Sequence, residues 1–489
     1  MLFNSFAFSL FLPIVFFLYW AFFSKSIVKR NIFLLACSYF FYGWWDWRFL
    51  SLIIISSLSD FIIGNKIAAL NAQGEDETPA VHRVKKRWLM VSIITNIGLL
   101  GFFKYFNFFA DSLVALLSTI GLSVSPFTLN IILPVGISFY TFQTLSYTID
   151  IYRRQGYPTK DWVQFFTFVS FFPQLMAGPI ERAKNLLPQF ERLHTPDYTA
   201  FRNAMMQIAW GFFKKIMIAD RLAVYVDSVF KDIPAASGFP MLLGAMFFSF
   251  QVYFDFSGYS DIAIGTARLF GFELRKNFNR PYLSTSFAGF WRRWHISLTS
   301  WLTDYVFTPI AIRYRNLGKW GISIAIFLNF LVSGLWHGAD WTFVIFGAFN
   351  GLFIILLDPL LALSKTKNIV SHTLKSLFVW SCWVLSTIFF RAPDFHAALN
   401  SFAHLGFSHI NQITNFGLNA TELKLTFALI GIILLKEITC EWKDTWLQST
   451  FFKLPALFRW AFYIAFVLGM VYFGQYGNGN ENSFIYFQF

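Results

Sequence analysis

The chain has 489 residues, 56% of them hydrophobic and 13% charged, with 66 phenylalanines and a net charge of +13. Soluble domains are usually about 25% charged, and a single aqueous core stops growing near ~250–300 residues. A soluble enzyme, a disordered chain and a collagen-like chain are therefore excluded, and the chain reads as an all-α polytopic membrane protein.

In chain order, the first apolar run is 3–23. It is long enough to span and lacks the basic start and small-residue site of a cleavable signal, so it is expected to remain as the first helix. Further runs lie at 31–45, 88–103, 237–254, 320–336, 341–357, 377–390 and 460–474, and less clear ones at 49–66, 131–149, 206–228 and 423–435. A crossing wants about 20 residues, which predicts about 12 transmembrane helices (10–12), the lower figure because 155–235 is hard to parse.

Lys and Arg gather between the runs: Lys25, Lys29 and Arg30; Arg83, Lys85, Lys86 and Arg87; Arg153 and Arg154; Arg313, Arg315 and Lys319; Lys365, Lys367 and Lys375; Lys436, Lys443, Lys453 and Arg459. These are predicted to face the cytoplasm. Ala392–Glu422 and the tail Gln475–Phe489 carry neither residue, which places them, and both termini, on the other side. The charge thus has a topological reason, and no nucleic-acid partner is expected. Cys37, Cys382 and Cys440 lie in or beside apolar runs and read as small buried hydrophobes. Neither a disulfide framework nor a metal site is expected from them. The whole chain, 1–489, is expected to be one membrane-embedded domain.

Pro134-Val135-Gly136 and Pro173…Gly178-Pro179 interrupt apolar stretches, and 255–312 mixes aromatics with Arg268, Arg275, Lys276, Arg280, Arg292 and Arg293. Irregular backbone at membrane depth needs protein or a wet cavity around it. These segments are read as broken or re-entrant helices lining a cavity, against surface helices and ordinary proline kinks.

Polar residues inside apolar stretches are functional candidates. His337 stands in Ser333-Gly334-Leu335-Trp336-His337-Gly338, between two uncharged runs and flanked by glycines. An imidazole there exchanges a proton near neutral pH; the competing reading is a structural histidine at a helix turn. His295 follows Trp291-Arg292-Arg293-Trp294. A helix here would stripe Trp291, Trp294, Leu298 and Trp301 along one face, leaving Arg292, Arg293 and His295 mostly off it. That fits either an interfacial helix with snorkelling arginines or the wall of a cavity for an anionic donor. His404 and His409 have no third ligand residue beside them. No phosphate-binding loop, nucleophile elbow or zinc-protease motif is present.

At these histidines the sequence resembles the membrane-bound O-acyltransferase (MBOAT) family, in its bacterial alginate O-acetyltransferase-like subgroup. The matching stretches are Leu133–Gln143, Phe172–Ile180, Tyr253–Asp261, Phe290–His295, Ser333–Gly338 and the terminal Phe484–Phe489. The resemblance implies a core at about 130–390 and a place in the bacterial inner membrane. It implies catalytic roles for His337 and His295, and a thioester co-substrate, acetyl-CoA or an acyl-carrier phosphopantetheine, with no tightly bound cofactor. Arg292, Arg293, Arg280 and Lys276 are the donor-binding candidates, and Trp336, Trp294, Gly334, Gly338 and Ser333 the cavity-lining ones. The acceptor is a hydroxyl of an extracytoplasmic polysaccharide, reached directly or through a partner acetyltransferase. Phe484, Tyr486, Phe487 and Phe489 form an apolar tail expected to dock such a partner or the wall of the protein itself. Membrane lipids and polysaccharide-modifying proteins complete the expected partners. The competing functions are D-alanyl transfer to teichoic acid, a non-enzymatic polymer transporter or flippase, and a structural scaffold.

Overall fold

The computed structural model describes residues 1–72, 78–122, 124–125, 127–363, 368–443, 446–476 and 484–485. Lys365, Lys367, Tyr486, Phe487 and Phe489 lie outside the described residues. Helices carry the fold, and no strand forms among the described residues. Eight helices among them are long and apolar enough to cross a membrane, against the 12 expected. Part of the difference is geometrical. The stretch Ile27–Asn71 counts as one of the eight, yet its backbone turns extended at Asp46, with ψ 109°. It thereby splits into helices of 20 and 22 residues, each a full crossing in length. The less clear apolar runs also fold as helices, among them Ile137–Tyr152 and Ala420–Trp442.

The chain gathers into two compact units, Met1–Ile208 with Ser260–Lys276, and Ala209–Tyr259 with Asn277–Phe489. In the first, a polar seam joins three apolar helices. Ser92 Oγ and Asn96 Nδ2 donate to the two oxygens of Asp60 at 2.5 and 2.7 Å. Ser56 and Thr144 hydroxyls donate to Asn96 Oδ1 at 3.0 and 3.1 Å. Side chains satisfied in this way hold helices together where lipid gives no hydrophobic drive. Arg30, expected in a basic loop, is instead buried in helix Ile27–Asp46. Its guanidinium donates to the carbonyls of Phe190 and Arg192 at 2.5 Å each. The two proline-broken segments pack on each other. Gly136, at φ +78°, lies so close to the Leu175–Met176 backbone that a Cβ would stand 2.7 Å from the Leu175 carbonyl oxygen. Only glycine meets both demands there.

The second unit holds a tight pair of apolar helices, Lys319–His337 and Trp341–Leu352. A Cβ on Gly334 would fall 2.2 Å from the Phe343 carbonyl oxygen, and one on Gly347 would fall 2.3 Å from that of Phe330. Small residues at a crossing let two backbones touch. Asp340 restarts the chain as a helix by accepting from the Thr342 amide at 2.8 Å. Asp358 accepts from the amides of Phe287 and Ala288 at 2.6 and 2.8 Å and so fixes the start of the short helix Phe287–Trp291.

Gly334→Val should therefore lower stability by about 1–3 kcal/mol through overpacking. Gly431→Ala, in helix Ala420–Trp442 with no atom within 4 Å of the added carbon, should be neutral or stabilising by up to about 1 kcal/mol. Thermal unfolding in detergent separates them, and equal effects would contradict the close crossing.

Candidate active site

The second unit brings the two candidate histidines to one aromatic cluster. His337 is the last residue of helix Lys319–His337. The extended backbone of Gly338 stops the helix, so the imidazole is buried at a helix end. His295 reaches the cluster differently. The expected apolar stripe is there, with Trp291, Trp294, Leu298 and Trp301 all buried. The helix is not continuous, however: it stops at Trp291 and resumes at Ile296. Between them His295 takes a left-handed conformation, φ +42° and ψ 54°. A side chain held there costs of order 1–3 kcal/mol, and such strain gathers at functional sites. Asn277 clamps the turn, its carbonyl accepting from the Ile296 amide at 2.8 Å and its Oδ1 from the Ser297 hydroxyl at 2.6 Å.

Trp336 joins the two imidazoles, its ring centroid 5.5 Å from that of His295 and 4.9 Å from that of His337. Phe256 meets His295 edge-on at 4.5 Å, and Phe390 meets His337 at 5.3 Å. Beside His337 lies a small cavity, with room for about one water-sized group, lined by Val252, Trp294, His337, Phe346, Trp383, Thr387 and Phe390. Its walls are apolar apart from the imidazole and the Thr387 hydroxyl.

The other predicted residues are placed as follows. Trp294 is on the cavity wall. Trp336 stands between the imidazoles, and Gly334 and Gly338 press on Phe343 instead. Ser333 is buried on the same helix as His337. Arg292 is exposed, whereas Arg280 and Arg293 share one carboxylate, that of Glu441, at 3.0 and 2.8 Å. Lys276 is exposed and belongs to the first unit. Phe484 packs on the wall of the protein itself, one of its two expected seats, buried against Tyr259 and Phe256. Sequence reasoning passed over Val252, Phe346, Trp383, Thr387, Phe390 and Glu441. Only Thr387 carried a signal, a hydroxyl inside the apolar run 377–390. Among the described residues no cluster of three or more His, Cys, Asp or Glu could hold a metal ion.

Burial holds the His295 imidazole well below the ordinary histidine range, and the neighbouring His337 pushes it further down. His295, which lies outside the candidate spans, is therefore neutral in the fold at ordinary pH. The consequence for stability has a definite sign. Below the unfolded value of about 6.5, the unfolded chain takes up a proton that the fold refuses, so stability falls as pH drops. The slope is about 1.4 kcal/mol per pH unit, running from about 6.5 down to the depressed folded value. His295→Asn should flatten that slope in unfolding curves taken between pH 5 and 8, and an unchanged slope would contradict a neutral, buried His295.

Residues 159–392 match the MBOAT, membrane-bound O-acyltransferase, family, an interval that includes both imidazoles and every residue on the cavity wall. The chain is similar to the "Probable alginate O-acetylase AlgI" of Pseudomonas putida, 39% identical over 440 residues that cover 88% of this chain and 86% of that protein. It is also similar to the "Peptidoglycan O-acetyltransferase" of Helicobacter pylori, 33% identical over 80% of this chain and 76% of the relative. A "Teichoic acid D-alanyltransferase" of Streptococcus thermophilus is 29% identical over 53% of this chain and 66% of its own. With identity of this level along most of its length, this multi-pass membrane protein belongs to the membrane-bound O-acyltransferase family.

Proposed function

We propose that the protein moves an acetyl group from a cytoplasmic thioester donor, acetyl-CoA or an acyl-carrier phosphopantetheine, towards hydroxyls of an extracytoplasmic polysaccharide. The acceptor is alginate-like or another exopolysaccharide, reached directly or through a partner acetyltransferase. The setting is the inner membrane, with both termini outside the cytoplasm. One observation carries the reading: His337 lines a small, largely apolar cavity with room for about one water-sized group. A space of that size excludes a fatty chain and restricts the acyl group to a short one. The relatives' own names, alginate O-acetylase and peptidoglycan O-acetyltransferase, support acetyl transfer to an envelope polymer. A D-alanyl group would bring an ammonium, and no carboxylate lies on the cavity wall to receive it.

In this reading His337 takes the proton of the acceptor hydroxyl as its oxygen attacks the thioester carbonyl, a step in which a positioned base is worth about 10²–10⁴-fold. The tetrahedral intermediate collapses with loss of the thiolate, which recovers the proton from His337 and leaves as the free thiol. Neutral His295 orients or polarises through a hydrogen bond. A donor aimed at a developing oxyanion is worth about 2.7–4 kcal/mol. Direct transfer through a ternary complex is the first choice, with a covalent acyl-enzyme second.

His337→Gln should lower acetyl transfer by about 10²–10⁴-fold while the protein still inserts and melts as the parent does. Radiolabelled acetyl donor on reconstituted vesicles, scored for labelled polymer and free thiol, gives the measurement. Propionyl donor should transfer more slowly and octanoyl donor not at all. Full activity in the His337 variant, or indifference to chain length, would overturn the reading.

A further inference from the structure

The end of the chain is tied to the histidine cluster by a buried charge system that the transfer step does not use. The Ile485 amide donates to Asp255 Oδ2 at 2.7 Å. The other oxygen of Asp255 pairs with Lys215 Nζ at 2.8 Å, and Lys215 also pairs with Asp220 at 2.9 Å. All three charged side chains are buried, as are Phe484 and Ile485. One ammonium faces two carboxylates, and the tail amide is a donor directed at one of them, Asp255. A buried carboxylate is tolerated only when its lone pairs are met.

The neighbouring residue connects this seat to the site. Phe256 follows Asp255 in helix Phe239–Leu269. Its ring lies 5.4 Å from that of Phe484 and 4.5 Å from the imidazole of His295. Phe484 also stacks on Tyr259 at 4.7 Å. The helix that carries Phe256 has little freedom to shift: a Cβ on Gly258 would stand 2.8 Å from the Gly211 carbonyl oxygen. Lys215 sits in a π-helical turn, Phe213–Ala219, an irregularity that recurs at functional sites.

Resting on the transfer reading above, we propose that Phe484, Asp255 and Lys215 are positioning residues. The Phe484–Ile485 pair, latched onto Asp255, wedges Phe256 against His295 and holds that imidazole at its strained turn.

The test is kinetic and chemical, on the full-length protein in vesicles. Phe484→Ala should lower kcat about tenfold or more with the donor KM unchanged, and Phe484→Leu should restore most of the rate. Asp255→Asn should lower kcat in the same way. Carbethoxylation of His295, read by mass spectrometry, should be slow in the parent and faster in Phe484→Ala at an unchanged melting temperature. If Phe484→Ala does not fold, Phe484→Leu and Asp255→Asn decide by the same two readouts. His337→Gln runs beside them. If it is inactive while the Phe484 and Asp255 variants keep the parental kcat and protection, the positioning role is wrong and the transfer reading stands. If His337→Gln is active, the transfer reading fails and the labelling result alone decides whether the tail holds His295.

Discussion

The backbone contact between helices Lys319–His337 and Trp341–Leu352 governs the rest of the site. Gly334 and Gly347 bring the two chains together so closely that neither position has room for a methyl group. The helix must then stop immediately after His337, because Gly338 is extended and Asp340 begins the next helix. A polar ring is thereby delivered to the interior of an apolar unit, where lipid cannot solvate it and aromatic side chains surround it. Its counterpart arrives by a different route: His295 sits on a strained turn pinned by Asn277, and Trp336 touches both rings.

This arrangement matches the chemistry of acyl transfer in a simple way. A thioester is reactive enough that the protein needs chiefly to place it dry and close to a base. The cavity wall is formed by Trp294, Phe346, Trp383 and Phe390 with Val252, and His337 and Thr387 are its polar features. A neutral His295 suits the pair electrostatically, since two adjacent imidazoles do not both carry charge in a low-dielectric site. Charge is concentrated away from that wall, in the Glu441 pair with Arg280 and Arg293 and in the Lys215 cluster.

What was legible in the sequence followed from local rules. Apolar runs of spanning length announced helices, and His337 stood out because an imidazole between two such runs is costly unless used. The stripe of Trp291, Trp294, Leu298 and Trp301 was also correct as a list of buried residues, yet its periodicity carried straight through the break at His295. Periodicity reports which side chains are buried, not whether the backbone between them is continuous. Glu441 and the Asp255–Lys215 pair were beyond reach because their partners lie far along the chain and no short motif joins them. The Asp60 seam was hidden for a related reason: serine, threonine and asparagine are scattered singly through the apolar runs, and only the packing shows that they meet. The number of crossings stayed open because long helices such as Ile27–Asn71 bend at single residues, here Asp46, that composition does not flag.

The most direct examination of the site is electron cryomicroscopy of the protein with a non-hydrolysable thioether analogue of acetyl-CoA. The acyl end should occupy the cavity between Trp294, Trp383 and Thr387, leaving room for a hydroxyl within about 3–3.5 Å of both its carbonyl carbon and the His337 imidazole. Density for the acyl end elsewhere, with the cavity beside His337 still empty, would contradict the assignment.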